Sequence, residues 1–114
     1  MTSSRVDTGI AKEMIFTARN IKADRAYAIG LVNSVVAAEE LMPTVMKMAN
    51  GIAKNAPIAV AYAKTAINEG LQKDIDDGIA VEVREFSNCF ATEDQTYGMT
   101  CFLEKTKEKT FANK

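Results

Sequence analysis

The sequence contains no histidine. That absence removes the side chain whose ordinary titration lies nearest neutrality and the commonest nitrogen ligand for a metal, so acid–base chemistry would fall to carboxylates. Only two cysteines are present, Cys89 and Cys101. They lack the close CxxC spacing of a redox centre and cannot complete a structural zinc tetrad unless carboxylates or a second chain contribute. Both are expected to be reduced, partly buried packing residues. No run approaches the roughly 18 apolar residues of a membrane span, and the polar opening MTSSRVD is not followed by the apolar stretch of a signal peptide. A soluble, cytoplasmic protein is expected. Glycine-rich phosphate loops, GxSxG elbows and HxxxH pairs are also missing, and the serines near the start have no visible base.

Charge of one sign is lacking too. Fourteen basic and 15 acidic side chains give a formal charge of −1, too little field to gather nucleic acid or an anionic membrane. The distribution is uneven. Glu69 to Asp94 holds eight carboxylates and two basic groups, whereas Cys101 to Lys114 holds four lysines and two glutamates, so the tail can meet a small anion. With 47% apolar residues in 114, the chain has the composition for one modest core.

What is present is helical periodicity. Residues 9–18 place Ile10, Met14 and Ile15 on one side of a short helix. A second short helix is expected over 23–29, with Gly30 at its stop. The β-branched run LVNSVV, near 31–36, then reads as one short extended segment. The pattern predicts a longer helix over about 39–54, burying Leu41, Val45, Met48, Ala49 and Ile52. Pro43 would confine its regular part to residues from about Met42 onward. Most of the methionines are expected to fill core gaps. Pro57 and Gly70 bracket another helix, with Ile58, Ala61, Thr65 and Ala66 toward a neighbour.

From Asp74 to Phe90 the residues Ile75, Ile79, Val83, Phe86 and Phe90 form a narrow apolar stripe. Asp74, Asp76 and Asp77 suit the start of that helix and lack the oxygen spacing of a calcium loop. TEDQ predicts a capping box between Thr92 and Gln95 for a last helix that buries Met99, Phe102 and Leu103. Lys105, Lys107 and Lys109 are expected to face solvent.

Two constellations admit chemistry. Glu82 with Glu85, or Glu93 with Asp94, could form an acid–base pair if both carboxyls faced one cavity with separated pKa values. The plainer reading is a charged face flanking Arg84 and a solvated helix start. Phe102 and Lys105, three apart, place an aromatic ring beside an ammonium, a combination that can touch a purine and a phosphate or merely anchor a core beside a surface charge.

AKEMIFTARNIKADRAYAIGLVNSVV, NAPIAVAYAKTAINEG, DIDDGIAVEVREFSNCFATEDQ and GMTCFLEKTKEKTFANK resemble consecutive parts of the enoyl-CoA hydratase, or crotonase, family. Within it, the chain is most similar to the short-chain bacterial hydratases that interconvert crotonyl-CoA and 3-hydroxybutyryl-CoA. The resemblance runs nearly continuously from about Val6 to Lys114. It implies a mainly α chain, the C-terminal helical region of the α/β ClpP/crotonase-like fold. Residues 1–8 are expected as a flexible start and 9–114 as the helical region, without the β-β-α spiral that carries the family's two catalytic glutamates and its oxyanion-holding amides.

The resemblance further implies Phe102 and Lys105 near the adenine and 3′-phosphate end of coenzyme A, and Phe86 beside the acyl pocket. No catalytic residue matches within these residues, and no metal or prosthetic group is implied beyond the coenzyme A moiety of an acyl-CoA thioester substrate. The family's members form trimers, often paired into hexamers, so a homo-oligomer is expected, with neither nucleic acid nor membrane as partner. The alternative expectation is a noncatalytic helical oligomerisation or interaction module.

Overall fold

Residues 6–114 are described in the computed structural model, and six helices make up their regular structure. The chain divides into two compact units, the first ending at Pro43 and the second beginning at Thr44.

In the first unit, α1 spans Thr8–Thr17 and α2 spans Ala23–Ala28. The Asp7 carboxylate accepts from the Gly9 N–H at 2.8 Å, satisfying one amide that has no partner inside the helix. Of the expected flexible start, residues 1–5 lie outside the described residues, while Val6 is buried and Thr8 already belongs to α1. Gly30 follows α2 with φ 73°, a left-handed conformation that glycine adopts without steric cost, and the Leu31 N–H returns to the Ala26 carbonyl at 2.9 Å. Val6, Ala11 and Ala26 are this unit's buried apolar residues.

Residues 31–36 are a bent, non-helical connection, and no strand occurs among the described residues. β-Branched residues favour a pleat only where a partner strand accepts their hydrogen bonds, and none is supplied to them here.

The helix α3, Ala38–Ala53, starts earlier than Pro43 allows if proline is confined to a first turn. Proline inside a helix forfeits one backbone bond, here the one to the Glu39 carbonyl, and the helix continues past it. None of its residues is buried. Leu41, Val45, Met48 and Ile52 are all about half exposed, as are Met42 and Met46, which corrects both the expected buried stripe and the core-filling role of these methionines.

The second unit continues with α4 (Pro57–Gly70), α5 (Ile75–Cys89) and α6 (Glu93–Leu103). Pro57 takes the first turn of α4, where its missing N–H has no bond to lose. Ile58, Thr65 and Ala66 are half-buried, whereas Ala61 is exposed. Asp74 caps α5 by accepting from the Asp77 N–H at 2.9 Å. Thr92 caps α6 by accepting from the Gln95 N–H at 3.1 Å. Half of the expected capping box is formed: the Thr92 N–H donates to the Cys89 carbonyl rather than to the Gln95 side chain.

The two ends of the α4–α5 turn come together at glycines. A Cβ added at Gly78 would stand 3.1 Å from the Gly70 carbonyl oxygen, so the backbones approach as closely as a missing side chain permits. The buried face of α5 carries Val81 and Glu85. Its apolar stripe lies elsewhere on the helix and is open, from 52% exposure at Ile79 to 78% at Ile75. On α6 the buried residues are Asp94 and Cys101, while Met99, Phe102 and Leu103 are exposed, which reverses the expected packing side. Both cysteines are free, Cys101 buried and Cys89 half-buried. No helix among the described residues is long and apolar enough to cross a membrane.

Candidate functional site

The α4–α5 hairpin owes its geometry to the short connection Leu71–Asp74 and to the glycine contact. Along it opens a cleft of 1050 Å³, to which α6 adds Gln95 and Met99. The size is ample for a small organic ligand. Apolar groups dominate its lining: Tyr62, Ala66 and Ile67 from α4, Ile79 and Phe86 from α5, and Phe90 just after its end. The Phe86 and Phe90 rings meet edge to face at 5.1 Å, which fixes two aromatic surfaces one helical turn apart. The stripe read from the sequence is therefore largely a cleft wall.

Polar groups enter the cleft at a few points, Lys73, Asp74, Glu82, Glu85 and Gln95. Glu85 is buried and its Oε1 accepts from Arg84 Nε at 2.7 Å. Arg84 Nη2 reaches Glu69 Oε2 at 3.0 Å, tying α5 back to the end of α4. The hydrogen bonds to Glu85 and then Glu69 push the guanidinium pKa further above its already high ordinary value. The buried carboxylate is thus charge-matched, as a buried ion must be to avoid a large desolvation cost. Glu82 and Glu85 do share one cavity, but Glu85 is occupied as a structural link and Glu82 is exposed.

Phe86 lines the cleft and is 65% exposed. Phe102 and Lys105 lie outside it. Phe102 sits in the last turn of α6 and is 72% exposed. Lys105 is exposed and comes after the helix end. Its φ of 56° is left-handed, its N–H donates to the Phe102 carbonyl at 3.2 Å, and the Thr106 N–H donates to the Cys101 carbonyl at 2.9 Å. This closure uses lysine where glycine is usual. The two residues are therefore linked by the backbone of a helix-ending turn, and Lys105 does not stand at a regular helical position.

Asp94 departs from the solvated helix-start acid that the sequence suggests. Asp94 is buried, and its carboxylate accepts from the Ala112 N–H at 2.7 Å and the Asn113 N–H at 2.9 Å. Its own N–H donates to the Lys114 carbonyl at 3.1 Å. The Tyr97 hydroxyl accepts from the Thr110 N–H at 3.3 Å and its ring meets Phe111 edge to face at 5.7 Å. The tail lies along α6, a partnership between residues 18 and 19 positions apart that local spacing does not display. The available signal was FANK itself, an aromatic closing a polar tail.

The model of the enoyl-CoA hydratase/isomerase family matches residues 1–113. The chain belongs to this family. It is 54% identical over 112 residues to a short-chain-enoyl-CoA hydratase of Clostridium acetobutylicum, covering 98% of this chain and 43% of that protein. It is 51% identical over 102 residues to a crotonyl-CoA hydratase of Syntrophomonas wolfei, covering 90% and 39%. Among solved structures, an enoyl-CoA hydratase from Bacillus anthracis is similar with a TM-score of 0.91 and 35% identity, covering 98% of this chain and 43% of that one. The chain therefore spans less than half the length of these relatives, and its helices correspond to the C-terminal helical region of the crotonase fold.

Proposed function

We propose that this chain is the helical part of a hydratase that adds water reversibly across the double bond of a short-chain 2-enoyl-CoA thioester. The observation that carries the reading is the 54% identity, over nearly the whole chain, to a short-chain-enoyl-CoA hydratase. The apolar cleft bordered by Phe86 supports it, because a short acyl chain needs dry aromatic and aliphatic walls. Phe86 borders the acyl group, while Phe102 offers a stacking face to adenine and Lys105 an ammonium to the 3′-phosphate. Coenzyme A enters as part of the substrate and not as a resident group. The proton-transferring carboxylates and the donors that hold the thioester oxygen are assigned to sequence other than these residues, since Glu85 is already engaged by Arg84 and Glu82 is exposed.

Exposed apolar faces on α3 support assembly into a homo-oligomer, the family's trimer or hexamer. The same faces favour a second reading, a noncatalytic helical oligomerisation module. The test is direct hydration of crotonyl-CoA by the intact protein that carries this chain, with product measured by chromatography. Turnover weakened by Phe86→Ala through a raised KM supports the hydratase; a folded oligomer without turnover supports the module.

A further inference from the structure

The lysine-bearing segment after α6 is fastened at both ends. At its start, the left-handed Lys105 closes the helix through the bonds to the Phe102 and Cys101 carbonyls. At its finish, Thr110 is held by the Tyr97 hydroxyl, Phe111 packs on the Tyr97 ring, and the buried Asp94 carboxylate grips Ala112 and Asn113. A Cβ added at Gly98 would stand 3.4 Å from the Phe111 ring, so the tail also fills the space over that glycine. Between these anchors runs a short loop on which Lys105, Lys107 and Lys109 are all exposed.

From Glu104 to Lys109 three lysines face two glutamates, a net excess of one positive charge. So small an excess attracts an anion weakly at physiological salt, where surface charges more than about 8 Å apart are screened. Recognition of a phosphate by this loop therefore depends on where its ammonium groups stand rather than on how many there are. Each lysine is a flexible point charge whose placement is inherited from its backbone.

We infer that Asp94, far from being a solvated helix-start acid, is a positioning residue that holds the 105–109 loop as a phosphate-binding arm by clamping the tail beyond it. This rests on the reading of Lys105 as the contact to the 3′-phosphate of coenzyme A, and extends it to the tail, to Lys107 and Lys109, and to the residues that fix them. Asp94 itself touches no ligand. Asparagine at this position keeps the shape but presents one carbonyl oxygen where the tail amides use two carboxylate oxygens.

The experiment compares binding of coenzyme A and 3′-dephospho-coenzyme A to the intact protein by calorimetry, in the wild type and in Lys105→Ala, Asp94→Asn and Tyr97→Phe variants. The last removes one tail anchor and keeps the ring, so it serves even if Asp94→Asn fails to fold. The wild type should prefer coenzyme A; Lys105→Ala should lose up to about fivefold of that preference, the upper end for one exposed charge contact, and each clamp variant should lose a measurable part of it. A merely structural role for the clamp would lower stability and leave the preference intact. Loss in Lys105→Ala with full preference in both clamp variants would overturn the positioning role alone. Full preference in Lys105→Ala would overturn the phosphate reading beneath it.

Discussion

Substituting Gly78 by alanine tests the closeness of α4 and α5. Two opposing terms act on it. Glycine inside a helix is less favourable than alanine by about 1 kcal/mol, so the backbone gains from the change. Against this, the new Cβ stands 3.1 Å from the Gly70 carbonyl oxygen and 3.7 Å from the carbon that bears it. The obstacle is backbone, which cannot rotate aside as a side chain can, and overpacking of that kind costs about 1–3 kcal/mol. The net expectation is a loss of about 1 kcal/mol.

Gly70→Ala is the internal control, because its Cβ meets the same junction from the other side at a comfortable 3.7 Å. It should be neutral or stabilising by up to about 1 kcal/mol. Urea unfolding of the intact protein at one fixed concentration reads both, as a lowered midpoint for Gly78→Ala with an unchanged slope and an equal or raised midpoint for Gly70→Ala. Equal stabilisation by the two alanines would refute the close approach.

Other consequences follow from single residues. Thr92→Ala and Asp74→Ala each remove a side chain that accepts from a helix-start amide, and each should cost about 1 kcal/mol in the same unfolding assay. Lys105→Gly should raise stability by about 1 kcal/mol, since glycine adopts φ 56° freely, while still weakening coenzyme A binding through loss of the ammonium; the two effects separate in unfolding and calorimetry. The 114-residue polypeptide alone should run in light scattering as species heavier than 12.4 kDa, because α3 and the α5 stripe leave large apolar side chains open; a single 12.4 kDa species at all concentrations would contradict this.

The sequence displayed the helix ends far better than the packing. Pro57, Asp74 and Thr92 act on amides and carbonyls within a few residues, so their chemistry is written locally, and each stands within a residue of the expected boundary. Pro43 was misleading because a helix can survive one lost bond. Burial failed for a different reason. Periodicity finds an apolar stripe but not the surface opposite it, and the stripes of α3 and α5 have no covering element among the described residues. Phe86 lies in the cleft wall because the apolar stripe that periodicity does reveal runs along that side of α5. Asp94 was missed because its partners are brought to it only by the fold of the tail.

Under the proposed function, these residues supply ligand-bordering helices of a hydratase and not its proton-transfer groups. Hydration of crotonyl-CoA by the purified 114-residue polypeptide, followed as product formed and compared with a mock preparation, tests it most directly. No product above the mock is predicted; steady, contaminant-free turnover by this polypeptide alone would contradict the claim.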